Sequence, residues 1–423
     1  MISERIFCME KYNVKPKLES LKTAIETIAE FKAEDKPGNT RRPFTKEYKA
    51  ARLWLKQSME AVGLSTKIDA ASNLIGSLPG SNPKLKPIMI GSHTDTVMGG
   101  GRFDGIIGVL GGIEIVRVLK EAGIKLEHPL EIVDFTAEEP SDFGMSTIGS
   151  KGMVGELSKE TLQREDAEGH ILFNEIDALG GNCSRLEREA RKKGEVALYL
   201  ELHIEQGPVL EQNNCKLGVV TGIVGIHRYR VEVEGKADHA GTIPMDMRRD
   251  ALTMTSELIL YLEKLCREKH RQDVVGTVGK LDIEPNASNV IPGKCVFEFE
   301  VRSLSNEIIE EIVDKFIKKA EETAKVRALK IAFDNLSRSK SIIVDEKVQA
   351  TIKKACEKIG STLDLPSGAG HDANHVHEIA PVGMIFVPSK DGRSHCPEEF
   401  TTYEEITLGV EAILYSLLAF DEI

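Results

Sequence analysis

The sequence predicts an α/β catalytic domain, built on a largely parallel mixed sheet between helices, with a small βαββαβ domain inserted into it. Three observations carry this prediction. Continuous apolar runs of strand length alternate with a helical segment in the first half of the chain. Near Gly218 the pattern changes to strands that alternate apolar and polar residues. The run Val382-Gly-Met-Ile-Phe-Val387 then returns to continuous buried-strand character. At 423 residues the chain suits two domains better than one core.

Residues 46 to 62 carry Tyr48, Ala51, Leu55, Met59 and Val62 at helical spacing, which predicts an amphipathic helix. Short β-rich runs follow at Pro87-Ile-Met-Ile90, Leu130-Glu-Ile-Val-Asp-Phe135 and Val196-Ala-Leu-Tyr-Leu200, with a helix over Ile106 to Glu121 between the first two. Sheets of this class gather functional residues just beyond the carboxyl ends of their strands. Past Gly218, Tyr229-Arg-Val-Glu-Val-Glu234 alternates as a half-exposed strand does. A helix from Arg249 to Arg267 comes next, then strands near Val274 to Ile283 and Cys295 to Val301. A second helix carries Ile308, Ile312, Phe316 and Ala320 on one face, and Leu329-Lys-Ile-Ala-Phe333 closes the set. That order predicts two helices on an antiparallel sheet. The catalytic domain is expected at 1–214 and 336–423, the insertion at 215–335.

Composition narrows the function classes. The hydrophobic fraction is 41%, charged residues make up 29%, and the formal net charge is -12. That balance disfavours nucleic acid and anionic membranes as partners. The seven cysteines (Cys8, Cys183, Cys215, Cys266, Cys295, Cys356 and Cys396) are scattered without a CxxC pair, against a disulfide framework or a cysteine zinc cluster. Cys396 follows His395 directly and reads as a bystander, since adjacent side chains rarely converge on one ion. The N-terminal stretch has no apolar run of signal-peptide length, and no run of membrane-spanning length occurs. The expected location is the cytoplasm.

Five segments carry the chemistry, each with a candidate ligand expected just after a strand. In Ile90-Gly-Ser-His93-Thr-Asp95, the imidazole can bind a metal while the carboxylate two residues on fixes its geometry. In Gly99-Gly-Gly-Arg-Phe-Asp104-Gly, glycines let the loop bring Asp104 close to His93. Phe135-Thr-Ala-Glu138-Glu139-Pro places paired carboxylates after a buried strand, where a solvated acidic patch is unexpected. His203 in Leu200-Glu-Leu-His203-Ile-Glu205-Gln206 and His395 in Arg393-Ser-His395-Cys would each pass alone for a structural histidine. Together the five matter more. Three histidines and two carboxylates without thiolates suit a pair of borderline ions such as Zn²⁺, Mn²⁺ or Co²⁺. One bridging aspartate would give each ion three protein ligands, and the remaining glutamate could accept a proton from water and pass it to a leaving nitrogen.

The motifs GSHTDTV, GGGRFDGIIGV, AEEP, ELHIEQGPVLE, ADHAGTIPM, SNVIPG, GAGHDA and VPSKDGRSHCPEE resemble those of the dinuclear-zinc amidohydrolases that include N-carbamoyl-L-amino-acid hydrolases, allantoate amidohydrolases and β-ureidopropionases. These belong to a wider superfamily of metal aminopeptidases and deacylases, and the resemblance runs from about residue 40 to the C-terminus. It implies two divalent ions per subunit, Zn²⁺ first with Mn²⁺, Co²⁺ or Ni²⁺ as alternatives. His93, Asp104 and His203 would hold one ion, and Asp104, Glu139 and His395 the other. Asp95 would orient His93, and Glu138 would act as base and then acid. For substrate it implies Gln206, His239, Asn289 and Arg302, whose guanidinium fork suits a carboxylate. His239 would reach the partner's site in a homodimer formed through the inserted domain and stabilise an oxyanion there. The implied reaction is hydrolysis of an N-carbamoyl-L-amino acid, with allantoate, β-ureidopropionate, a dipeptide or acylamino acid, or a non-catalytic role behind it. Pro140-Ser-Asp-Phe143 departs from the Gly-Ser/Thr-Arg-Phe common in relatives, and Gly100-Gly101 from Asn-Gly-Gly. His227 stands where glutamine is frequent and reads as structural or as support behind the ligands. His371 and Asp372 are expected to line the site, and His375 and His377 to lie in a solvated loop.

Overall fold

The computed structural model describes residues 14–269 and 274–421. The chain divides into two compact units, one of Gly222–Ile343 with Pro366–Gly370, the other of the remaining segments up to Thr221, Val344–Leu365 and from His371 onward. The sequence places the insertion at 215–335; strand Leu217–Ile223 runs across the boundary between Thr221 and Gly222.

In the larger unit the strands are β1 (Ser65–Ile68), β2 (Leu74–Leu78), β3 (Ile88–His93), β4 (Leu130–Phe135), β5 (Leu198–Ile204) and β6 (Leu217–Ile223). Later in the chain β13 (Ile342–Ile343), at the end of the smaller unit, β14 (Thr362–Ser367) and β15 (Val382–Val387) join the same sheet. The sheet order is β1-β2-β4-β3-β5-β15-β6-β13, with β14 paired to β6. Only its centre is parallel: β4-β3-β5-β15 run together, while β1–β2, β2–β4 and β15–β6 pair antiparallel. The four parallel strands are the ones whose every residue is buried, as continuous apolar runs require. Helices Ile106–Glu121 and Tyr403–Asp421 contribute Ile107, Leu110, Val410 and Leu414 to the core shared with Ile90, Leu200 and Ile385. Helix Lys46–Ala61 forms as expected, with Thr45 Oγ1 accepting from Tyr48 N at its start.

Registers align the carboxyl ends of the parallel strands: His93 lies opposite Phe135, and His203 opposite Phe386. Two expectations shift here. His93 is the last residue of β3 and His203 lies inside β5, so neither follows its strand. Asp104 sits in the loop before helix Ile106–Glu121.

The smaller unit carries β7 (Gly225–Glu234), β8 (Asp238–His239), β9 (Val275–Glu284), β10 (Val290–Ile291), β11 (Lys294–Ser303) and β12 (Lys330–Ser339). Its four-stranded sheet, β12-β7-β11-β9, is antiparallel throughout. Helices Ala251–Glu268 and Asn306–Arg327 share its core, where Phe316 packs on Phe299 with ring centroids 4.5 Å apart. Strands β8 and β10 form a separate ribbon, which the alternation pattern was too short to reveal.

Candidate metal centre

Local backbone bonds fix the two buried histidines before any ion is considered. His93 Nδ1 lies 3.1 Å from the carbonyl oxygen of Asp95, and His203 Nδ1 lies 2.9 Å from that of Ile204. Each ring therefore keeps its proton on Nδ1 and turns the Nε2 lone pair inward. Both Nε2 atoms converge on one oxygen of Asp104: Oδ1 is 3.5 Å from His93 and 3.3 Å from His203. Gly105 allows this approach, because its φ is +68° and a Cβ there would stand 2.3 Å from His93 Nε2.

The other Asp104 oxygen faces a second group. Oδ2 is 3.5 Å from His395 Nε2, which lies 3.1 Å from Glu139 Oε1. Asp104 thus has one oxygen in each of two ligand sets, His93/Asp104/His203 and Asp104/Glu139/His395. Glu138 stands beside them, Oε2 3.7 Å from His93 Nε2, and belongs to neither set. Asp95 does more than face the His93 ring. Its backbone carbonyl oxygen lies 3.1 Å and its carboxylate Oδ1 3.8 Å from His93 Nδ1, and Oδ1 and Oδ2 also accept the backbone N–H groups of Glu138 and Glu139 at 3.2 and 3.1 Å. It holds both glutamates in place.

The electrostatics call for added positive charge. Burial pushes the Glu138 carboxyl well up, and Asp372, Glu139 and Asp95 add to it against the opposing His93. Burial alone would lower His395, yet hydrogen bonds to Asp104 and Glu139 push it up to about 11. Burial likewise opposes the charge on Asp104, but the surrounding histidines hold it well below the usual carboxylate range. His203 Nε2 is buried without a hydrogen-bond partner. An inward lone pair of this kind, beside carboxylates with oxygen to spare, fits a divalent cation.

Several residues that frame the centre escaped the sequence reading. Glu399 Oε1 accepts Phe103 N at 3.0 Å and Asp104 N at 3.1 Å, and Ser394 Oγ lies 2.9 Å from Glu399 Oε2 and 2.7 Å from Asp104 Oδ2. Burial, then Asp104, pushes Glu399 up to about 7. Gly101 makes room for it: a Cβ there would fall 2.1 Å from Glu399 Oε1. Arg41 is fully buried and donates to the carbonyls of Thr94, Ile28 and Phe31. Arg52 donates to Thr136 Oγ1 and Ser72 O beneath the glutamates. These contacts reach across as many as 296 positions, and a single sequence carries no signal of them.

The residues expected at the substrate divide between the units. Gln206 joins the centre: Nε2 donates to Asp104 Oδ2 at 2.6 Å, with φ +59°. His239, Asn289 and Arg302 belong to the smaller unit. There His239 is exposed opposite Val290, and Ala240 N donates to Asn289 O. Arg302 is held by Glu300, with Nε 2.8 Å from Oε1, and by Gly368 O at 2.9 Å from Nη1; the other Glu300 oxygen takes Arg228. His227 is buried in that sheet, and burial lowers its pKa.

His371 packs its ring against His203, centroids 4.7 Å apart, and burial holds it well below the usual histidine range. It groups with His203 and Glu201, but Glu201 already accepts from Ser92 Oγ and Tyr199 OH. Asp372 is fully buried, and burial raises its pKa well above the usual value. His375 departs from the solvated loop expected: it lies in helix Ala373–Val376, with side-chain exposure of only 13% and both ring nitrogens engaged. His377, just beyond, is exposed. Cys396 joins no ligand group among the described residues. In the departing segment, Arg42 donates to Pro140 O and to Asp142 Oδ1, so the acidic substitution has a local countercharge. The exposed group Asp166, Glu168 and His170 is a turn: Asp166 Oδ1 accepts Glu168 N and His170 N.

Residues 89–419 match peptidase family M20/M25/M40. The chain is 39% identical over 381 residues to an N-carbamoyl-L-amino acid amidohydrolase of Geobacillus stearothermophilus, covering 90% of this chain and 93% of that protein. It is 34% identical over 414 residues to an allantoate amidohydrolase of Bacillus subtilis, covering 97% and 100%. A crystal structure of an amidase of the hydantoinase/carbamoylase family from Burkholderia multivorans superposes with a TM-score of 0.87 at 32% identity, covering 97% of this chain and 99% of that one.

Proposed function

The chain belongs to peptidase family M20/M25/M40, among hydrolases of linear amide bonds, and from that premise we propose that it cleaves the ureido C–N bond of an N-carbamoyl-L-amino acid, giving the amino acid, carbon dioxide and ammonia. The observation that carries the reading is the division of Asp104: Oδ1 faces His93 and His203, Oδ2 faces His395, and Glu138 is left over. His93, Asp104 and His203 hold one divalent ion in this proposal; Asp104, Glu139 and His395 hold the other, with Zn²⁺ the first candidate. When bound, such a pair polarises a carbonyl and lowers the pKa of water.

The residues do the rest. Glu138, buried and kept out of both ligand sets, takes a proton from the attacking water and returns it to the leaving nitrogen. Asp95 sets its position through the backbone. Gln206 and Asn289 contact the substrate, and Arg302, aligned by Glu300, receives its carboxylate in a fork. His239 Nδ1 accepts Gly241 N at 3.0 Å, so the ring's proton stays on Nε2 as an exposed donor. We assign that donor to the oxyanion in the partner's site of a cytoplasmic homodimer joined through the smaller unit.

Allantoate is the second reading, favoured by the Bacillus subtilis relative. The test supplies zinc, manganese or cobalt to the enzyme and measures turnover of N-carbamoyl-L-amino acids, allantoate, β-ureidopropionate and dipeptides. Turnover of the carbamoyl acids, lowered by ~100-fold or more in Glu138→Gln with metal retained, is the expected result. Dipeptide hydrolysis alone would move the enzyme to the aminopeptidase branch. No turnover of any would leave a non-catalytic binding protein.

A further inference from the structure

Glu138 is gripped from behind as well as from Asp95. The segment that carries it pairs with the start of helix Ile148–Val154: Thr147 N donates to Glu138 O at 2.8 Å, Ile148 N to Ala137 O at 3.0 Å and Gly149 N to Thr136 O at 2.7 Å. This small ladder needs left-handed backbone at two non-glycine residues, Ala137 at φ +54° and Thr147 at φ +56°. For a β-branched residue that conformation is a true outlier, and it persists only where the surroundings impose it.

The surroundings here are a histidine and a carboxylate. Thr147 Oγ1 lies 3.0 Å from His375 Nε2, and His375 Nδ1 lies 2.5 Å from Glu156 Oε2. The same hydroxyl reaches Ser146 O at 2.7 Å, an oxygen that Lys151 Nζ also serves at 3.0 Å. Glu156 is tied in turn to the far end of the helix, its N–H donating to Lys151 O at 2.8 Å. The hydroxyl, imidazole and carboxylate are lined up as a nucleophile, base and orienter would be. A nucleophilic role does not fit, because Thr147 is buried and its hydroxyl already donates its one proton to Ser146 O.

We propose that His375, buttressed by Glu156, is a positioning residue that holds Thr147 in its left-handed conformation and thereby fixes the carbonyl, and with it the side-chain direction, of Glu138. The inference rests on the reading of Glu138 as the base. It also gives a use to a histidine 237 positions from that base, on the helix that follows His371 and Asp372.

The test combines hydrogen–deuterium exchange across residues 136–149, kinetics on the carbamoyl acid that is turned over fastest, and bound-metal content, in His375→Ala, Glu156→Gln, Glu138→Gln and the double variant His375→Ala/Thr147→Gly. His375→Ala should speed exchange of the Thr147, Ile148 and Gly149 amides and lower kcat by roughly 10- to 100-fold, with KM and metal content near wild type. Glu156→Gln should do the same to a smaller degree. Glycine adopts the left-handed region without strain, so Thr147→Gly in the alanine background should restore part of kcat. Unchanged exchange in His375→Ala overturns the buttress whatever the kinetics, and so does wild-type kcat in His375→Ala when Glu138→Gln is inactive. Wild-type turnover in Glu138→Gln strikes the base assignment instead, a separate failure visible without any His375 variant.

Discussion

Replacing Glu399 by alanine should weaken metal binding without touching a ligand. Glu399 Oε1 accepts the backbone N–H groups of Phe103 and Asp104, and Oε2 meets Ser394 Oγ, which also contacts Asp104. At pH 8, above its value of about 7, the carboxyl is ionised. Hydrogen bonds to a charged group contribute about 1.5–3 kcal/mol each, so alanine forfeits roughly 3–6 kcal/mol from the two backbone bonds alone, less what entering water recovers. The Asp104 carboxylate then loses its fixed backbone. By analogy with other groups that orient ligands, affinity should fall about 10- to 100-fold. Chelator competition with zinc at pH 8 reads this directly. Glu399→Gln keeps an acceptor oxygen for both N–H groups and should cost little. Gly101→Ala should mimic Glu399→Ala, since its Cβ would fall 2.1 Å from Glu399 Oε1. Wild-type affinity in Glu399→Ala would refute the reasoning.

Arg302→Lys removes the fork but keeps the charge, and KM for a carbamoyl acid should rise about tenfold or more while kcat changes less; equal loss in both would point to a role in the transition state. Burial would raise Glu300, but Arg302 and Arg228 hold it below the usual glutamate range. A depressed carboxyl stabilises the fold above its unfolded pKa, and that contribution disappears as pH falls through the lower folded value. Acid-unfolding curves of Glu300→Gln should therefore converge on wild type at low pH and lie below it at neutral pH. Phe316→Ala empties a site at 0% exposure against Phe299 and should cost about 3–5 kcal/mol in thermal unfolding.

The sequence exposes what is periodic and what is chemically unusual. Helix Ile106–Glu121 and strand Leu130–Phe135 match their expected bounds because apolar residues dominate both and nearly all of their positions are buried. Strands Ser65–Ile68 and Ile342–Ile343 escaped, being four and two residues long and partly exposed. The five ligand-type residues were legible because three histidines and two carboxylates stand in glycine- and strand-flanked segments. Their support was not. Glu399, Arg41 and His375 act by contacts across 295, 53 and 228 positions, and local pattern is silent about such pairs. Asp95 shows the intermediate case: its importance was readable, but its use of both oxygens on the Glu138 and Glu139 amides required the fold.

The most direct measurement is an anomalous-difference map of crystals grown with zinc. Two peaks per chain are expected, roughly 3.5–4 Å apart, one beside His93 and His203, the other beside Glu139 and His395, with Asp104 touching both. A single peak, or two that do not share Asp104, would contradict the dinuclear site and the chemistry derived from it.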